Sequence, residues 1–137
     1  MSLFRSPTLA LAVAIIGVAA LLGGSLGLAT AGTRGPLYPG ANFVAGPFSG
    51  DVSPDKFVEC LTPTHWKAIY IWEGDQQSWR HYFNTAGNGV PSFVNQPDVG
   101  GMEVVPQFSG LVLLMHPDTP PGYEGFFPEH ADEDCSS

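Results

Sequence analysis

Basic residues are scarce in this chain of 137 residues. It holds five Lys and Arg against 13 Asp and Glu, and its formal net charge at pH 7 is −8. A protein that binds nucleic acid needs a basic face for the phosphate backbone, so we expect no nucleic-acid partner. An acidic surface of this kind suits solubility outside the cell or attraction to basic partners.

Charge of either sign is absent between Leu9 and Ala29, and only Arg5 precedes that stretch. A basic start, an apolar stretch and the small-residue exit Ala29-Thr30-Ala31 match a secretory signal peptide, residues 1–31, cleaved after Ala31. The alternative is an uncleaved membrane anchor, because a helix of this length spans about 30 Å, the thickness of a bilayer core. Glycines within the stretch weaken such a helix and favour cleavage.

Both alternatives place the remaining chain outside the cytoplasmic membrane, either secreted or anchored to its outer side. The membrane is then contacted only through the N-terminal segment. After Ala31 the chain holds four basic and 13 acidic residues, which is a formal charge of −9. Its length is sufficient for one small domain and too short for two with separate cores.

Cysteine is also rare, with Cys60 and Cys135 as the only two. An even number in a small exported domain indicates one disulfide, which would tether the C-terminal tail. Closing a loop of this size stabilises the fold by about 4 kcal/mol in the chain-entropy model. The alternative is two unpaired thiols, in an organism that makes few exported disulfides.

Catalytic motifs are missing as well. No Gly-x-Ser-x-Gly elbow occurs, and no pair of carboxylates stands out from a generally acidic sequence, so we expect no enzyme. Oxygen-rich clusters around His116 and Asp118, and at residues 129–134, have the ligand types of a weak cation site. Alternating acids in a tail are usually solvated, so we expect no metal ion and no cofactor.

Composition divides the exported part into three regions. Residues 32–40 are rich in Gly and Pro and are predicted to be a linker. Residues 41–117 are predicted to form a small α+β domain. Residues 118–137 are predicted to be an irregular acidic tail, tethered by the disulfide, in which only three rings can dock: Tyr123, Phe126 and Phe127.

Within the domain the patterns predict a small antiparallel or mixed sheet built around a central hairpin, with one short helix. Ser53-Pro54 marks the start of the helix. Residues 84–101 are rich in Gly, Asn and Pro and should be mostly loop. A continuous apolar run typical of a central strand lies near the end of the domain. The predicted strands are residues 42–46, Ala68–Trp72, Ser78–Phe83, Met102–Val105 and Leu111–His116.

Parts of this pattern resemble an uncharacterised small α+β module of exported bacterial surface proteins. The resemblance covers about Tyr38 to Pro117. The module has tryptophan where this chain has Ala41, and Gly-Tyr-Trp-Ile where this chain has Gly110-Leu111-Val112-Leu113. The resemblance rests on three motifs: Gly40-x-Asn42-Phe43-Val44, Ile69-Tyr70-x-Trp72-Glu73 and Trp79-x-x-Tyr82. It implies a similar architecture and no catalytic residue.

The aromatic hairpin is the remaining candidate for a site. Its rings could stack on sugars or anchor a protein partner, or they could fill the core, since each buries some 150 to 250 Å². We expect Tyr70 and Trp72 to lie mostly in the core, with any ligand face on the more polar second strand. The candidate ligand surface is formed by Trp79, Arg80, His81 and Tyr82, together with Trp72.

These observations predict an exported, non-catalytic binding or structural module at the cell surface or in the extracellular space. Its expected partner is a surface glycan or a protein. The first alternative is a carbohydrate-binding module that uses the aromatic hairpin. The second is a small hydrolase or metal-binding protein.

Overall fold

The computed structural model of the chain describes residues 33–86 and 89–135. The predicted signal peptide lies outside these residues. The described part is a small α+β fold made of antiparallel sheets with one short helix. Its elements in chain order are β1 (Thr33–Leu37), β2 (Gly40–Ala45), α1 (Pro54–Val58), β3 (Trp66–Glu73), β4 (Ser78–Phe83), β5 (Gly110–Met115) and β6 (Tyr123–Phe127).

The predicted hairpin is formed by β3 and β4. Alternating aromatic and β-branched residues favour extended backbone on both sides of the polar turn. The turn is closed by Gln77, which has a φ of 50° and donates from its side-chain amide to the Gly74 carbonyl at 2.7 Å. Trp72 pairs with Trp79 across the hairpin. β3 starts at Trp66, two residues earlier than predicted.

A four-stranded sheet is completed by β5 and β2, in the order β2-β5-β3-β4. β5 is central, as its continuous apolar sequence predicts, because β2 and β3 pair with its two edges. Leu111, Leu113 and Met115 are buried on the face that packs against the helix and loops. We call this the inner face of the sheet.

Helix α1 covers part of the inner face. Ser53 precedes it in an extended conformation but makes no capping hydrogen bond through its side chain, and Pro54 occupies the first turn. Phe57 and Val58 are buried in the core. The ring of Phe57 stacks on that of Phe127 at 4.9 Å, which connects the helix to the C-terminal part of the chain.

The predicted linker and tail differ most from the structure. Residues 33–37 form β1 and residues 123–127 form β6, and the two strands pair antiparallel as a second sheet. Leu37, Phe126 and Phe127 are buried there. The linker residues therefore belong to the domain, and the tail contains a regular strand, because each segment supplies the backbone partner that the other lacks.

The strand predicted at Met102–Val105 is not formed. Met102 and Val105 are buried, but the segment makes only isolated bridges. Val105 exchanges two backbone hydrogen bonds with Val52, at 2.8 and 3.2 Å. The sequence pattern correctly identified buried apolar residues there, but no neighbouring strand extends the pairing.

The predicted disulfide joins Cys60 to Cys135, with a Cα–Cα distance of 5.2 Å. Hydrogen bonds also hold the tail: Lys56 donates to the Glu133 carbonyl at 2.7 Å, and the buried Glu129 carboxylate accepts the Phe48 N–H at 2.9 Å. Within residues 33–86 and 89–135, no helix combines the length and apolar character needed to cross a bilayer.

Candidate functional site

The face of the four-stranded sheet opposite the core is the candidate site, and we call it the outer face. Strand register places Phe43, Val112, Tyr70 and His81 in one row across the four strands. Side chains alternate along a strand, so every second residue of each strand shares this face. Its members are Ala41, Phe43, Ala45, Ala68, Tyr70, Trp72, Trp79, His81, Phe83, Gly110, Val112 and Leu114.

Three large rings on the outer face are exposed: Phe43 at 87%, Trp79 at 53% and Trp72 at 45%. Small residues beside them, such as Ala45 and Gly110, leave the rings raised above the sheet. None of the twelve residues is Asp, Glu, Lys or Arg. An exposed apolar patch of this kind on a small domain is a candidate interaction surface.

The two tryptophans form a cross-strand pair. Their ring centroids are 5.4 Å apart and the ring planes meet at 63°. This edge-to-face arrangement is a preferred geometry of aromatic pairs, and it makes a ridge rather than a flat platform. A sugar ring stacks best on a flat aromatic surface, so the pair is better shaped to fit a groove or an apolar pocket on a partner.

At the β4 side of the sheet the outer face is covered by the loop at residues 91–101. His81 donates from Nε2 to the Val94 carbonyl at 2.8 Å. The Asn95 side chain accepts the Phe83 N–H at 2.7 Å and donates to the Phe83 carbonyl at 2.9 Å. His81 and Phe83 thus attach the loop to the sheet, and the open part of the outer face is the area around Phe43 and the two tryptophans.

A depression of about 310 Å³ adjoins the outer face where β3 begins. Its floor is mostly apolar, with contributions from Tyr70, Phe83 and Leu114. Among the residues that line the depression, Lys67 and His116 can carry positive charge. The region therefore offers an apolar recess with basic groups beside it, on a chain that is otherwise acidic.

The five residues predicted as a ligand surface are divided between the two faces. Trp72, Trp79 and His81 share the outer face, whereas Arg80 and Tyr82 lie on the inner face because they alternate with them along β4. The expectation that Trp72 lies mostly in the core is wrong, since Trp72 is 45% exposed on the face opposite the core. Tyr70 is half-buried.

The inner-face residues have structural partners. Arg80 donates from Nε to the Glu73 carboxylate at 2.9 Å and from Nη1 to the Pro97 carbonyl at 3.2 Å. Tyr82 packs against the core, with its ring parallel to that of Trp66 at 6.4 Å. Burial raises the pKa of the Tyr82 hydroxyl, and the charge of Asp55 raises it further.

Phe43 is the exposed ring of the outer face that the sequence reasoning did not assign to a site. The strand containing it was predicted. Because side chains alternate along a strand, Phe43 and its neighbour Val44 must lie on opposite faces of the sheet, and this was the available signal. Its exposure could not be inferred, since that depends on whether another element covers the sheet.

Potential metal ligands are brought together at one place in the part of the chain that the structure describes. Glu59 lies beside Cys60 and Cys135, but the two sulfurs are bonded to each other. They are therefore unavailable as the thiolates that bind metals. The clusters noted at His116 and in the tail do not assemble three ligands within the described residues.

Comparisons of the chain with protein-family models, curated proteins and solved structures find no match. The proposal of a function therefore depends on the geometry of the outer face.

Proposed function

We propose that the chain is an exported, non-catalytic binding module that holds its partner on the outer face. The observation that carries this proposal is the group of three exposed rings, Phe43, Trp72 and Trp79, on a face without Asp, Glu, Lys or Arg. A small domain gains stability by burying rings of this size. Rings kept at a surface are the residues that most often dominate binding energy.

Export is supported by the N-terminal sequence and by the disulfide. The segment before Ala31 has the order of parts found in a secretory signal. Disulfides such as Cys60–Cys135 form and persist in oxidising compartments. We also propose, from the sequence motifs, a relationship to the small α+β module of exported bacterial surface proteins.

A protein with an apolar groove or pocket is the partner class that the outer face fits best. Side-chain hydrogen-bonding groups on its open part are few, essentially the two indole N–H groups and the Tyr70 hydroxyl. Carbohydrate recognition depends on several polar groups placed around the stacking ring. A glycan remains the second candidate, because two neighbouring tryptophans are both about half exposed.

Tryptophan fluorescence can test the proposal directly. Trp66 is 5% exposed, whereas Trp72 and Trp79 are open to solvent, so acrylamide should quench two of the three indoles. The chain, as processed by the producing cell, would be titrated with extracellular proteins and with isolated cell-wall polysaccharide. Binding on the outer face should shift the emission to the blue and protect Trp72 and Trp79 from quenching.

A matched pair of variants identifies the surface. Trp79→Ala should fold, because the ring is more than half exposed, and should weaken binding at least tenfold, as expected for a central tryptophan. Val104→Ala removes an exposed apolar side chain beside the inner face and should bind normally. Equal binding by the two variants would show that the partner is held elsewhere. Loss of folding in Trp79→Ala would show that the ring is structural.

A further inference from the structure

Strand β2 has an edge that no other strand covers. Gly46 donates its N–H to the Ser109 carbonyl at 2.7 Å, so the backbone of this residue faces β5. Backbone groups alternate in direction along an antiparallel strand. The N–H and C=O groups of Ala41, Phe43 and Ala45 therefore point away from the sheet, and no backbone or side-chain partner for them exists in residues 33–86 and 89–135.

The opposite edge of the sheet, on β4, is covered by a loop at His81 and Phe83. His81 donates its N–H to the Gly100 carbonyl at 3.1 Å and accepts the Met102 N–H at 2.8 Å. Asn95 supplies the next pair of contacts to Phe83 through its side chain. The chain thus protects one edge of the four-stranded sheet with its own loop and leaves the other edge unpaired.

Proteins usually protect a free edge with charge, proline, a bulge or a cover. The sequence of β2 is GANFVA, which contains neither charge nor proline, and its pairing with β5 is continuous. Phe43 on this edge is 87% exposed. A depression of about 200 Å³ runs beside the strand between β1 and β2, lined by uncharged residues including Leu37, Val44 and Phe127.

We propose that β2 is a self-association site, at which β2 of a second copy of the chain pairs antiparallel about a two-fold axis through Phe43. In this register Ala41 of one copy lies opposite Ala45 of the other, and the two Phe43 residues face each other. Each outward N–H and C=O then gains a partner. The two Phe43 rings lie on the same face of the joined sheet, as a cross-strand aromatic pair.

The local absence of charge along this edge favours a second copy as the occupant, although the chain as a whole is acidic. The edge and the depression beside it are uncharged, so they suit an uncharged strand, and β2 itself meets that requirement. The side chains of Ala41, Phe43 and Ala45 are small, large and small, an order that is the same from either end of the strand. An isologous interface requires such self-complementarity. Strand pairing along this sheet ends with two copies, because the chain's own loop already occupies the β4 edge.

The area of the contact indicates a weak dimer. The edge of a six-residue strand is about 20 Å long and about 10 Å high, so pairing covers on the order of 200 Å² of each copy. The Phe43 ring adds roughly 150 Å². A stable dimer commonly buries about 800 Å² per partner, so we expect a dissociation constant on the order of 100 μM.

Dimerisation joins two four-stranded sheets into one and places two outer faces side by side. A partner with repeated binding sites would then be held at both faces, with a gain in avidity. The dimer itself forms without any ligand. The dimer shares Phe43 with the proposed binding surface, but because its formation needs no ligand, the two proposals can fail or succeed separately.

Sedimentation velocity of the full chain, as processed by the producing cell, tests the proposal between about 10 μM and 1 mM. The mass should rise from monomer to dimer and stop there, and added salt should strengthen the dimer by screening the repulsion between two acidic chains. Amide hydrogen exchange should slow with concentration at Ala41, Phe43 and Ala45. A monomer at 1 mM overturns the proposal.

Variants at the two-fold axis give a sharper result. Phe43→Lys and Phe43→Glu each place like charges opposite each other and should remain monomeric, whereas an equimolar mixture should restore the dimer. Ala45→Pro removes one outward N–H without touching the bonds to β5 and should weaken association at least tenfold. Val104→Ala serves as the control. Dimers that persist in all three edge variants, or a mixture that stays monomeric, overturn the β2 pairing.

Discussion

Removal of the Cys60–Cys135 bridge should reduce the stability of the domain without changing its folded structure. The double variant Cys60→Ala with Cys135→Ala keeps the other contacts of the tail, among them the hydrogen bonds of Glu129 and Glu133. The folded chain thus has other means of holding its C-terminal part. The main effect of the bridge is expected in the unfolded chain, whose freedom it restricts.

The magnitude follows from the size of the loop. The bridged cysteines are 75 residues apart, for which the chain-entropy model gives about 4 kcal/mol at 25 °C. A small domain has a total stability of roughly 5 to 15 kcal/mol, so this is a large fraction. At about 4 to 8 °C per kcal/mol, the melting temperature should fall by roughly 20 °C.

Urea titrations of the oxidised chain, the reduced chain and the double variant provide the measurement. The reduced chain and the variant should agree with each other. Both should show a steeper dependence on urea, because an unfolded chain without the bridge exposes more surface. A loss below about 1 kcal/mol, or an unchanged slope, would refute the explanation through the unfolded state.

Two further predictions concern the inner face and the loop. Burial and the charge of Asp55 raise the pKa of Tyr82 above 10.0, so the folded chain holds this proton more tightly than the unfolded chain. The free energy of unfolding should therefore fall as the pH rises above about 10. Urea titrations between about pH 8 and 11 should show a smaller fall for Tyr82→Phe than for the unmodified chain. Equal pH dependence of the two proteins would contradict this prediction. A Cβ at Gly101 would overlap the backbone of Asn95, so Gly101→Ala should lower the free energy of unfolding by about 3 kcal/mol, measured by thermal unfolding. The control Gly110→Ala has open space around its Cβ and should lose almost no stability. Equal losses in the two variants would contradict the overlap.

Sequence reasoning succeeded where a segment carries its own structural signal. The hairpin of β3 and β4 combines β-branched and aromatic residues with a polar turn, and Ser53-Pro54 marks a helix start. The apolar run that forms β5 correctly indicated a central strand, but the burial expected on both of its sides is complete only on the inner face. Local conformational preference and burial act in the same direction in these segments, so their pattern is readable from the chain alone.

Reasoning from the sequence was insufficient where structure depends on distant partners. β1 has the sequence TRGPL, whose Gly and Pro suggest a linker, and it becomes a strand only through β6, far along the chain. The outer face posed the same difficulty. Alternation along each strand is readable from the sequence, but the register that places Trp72 and Trp79 on one face, and whether another element covers that face, are decided by the whole fold.

The place of β5 in the sheet has a consequence for the order in which the domain can form during synthesis. β2 is made early, yet its only neighbour in the sheet is β5, and β1 must wait for β6 at residues 123–127. Before β5 emerges, the hairpin of β3 and β4 is the only strand pair of the six that can exist. Folding that depends on such distant pairings is slow, so the nascent chain should stay open until nearly all of it has been made.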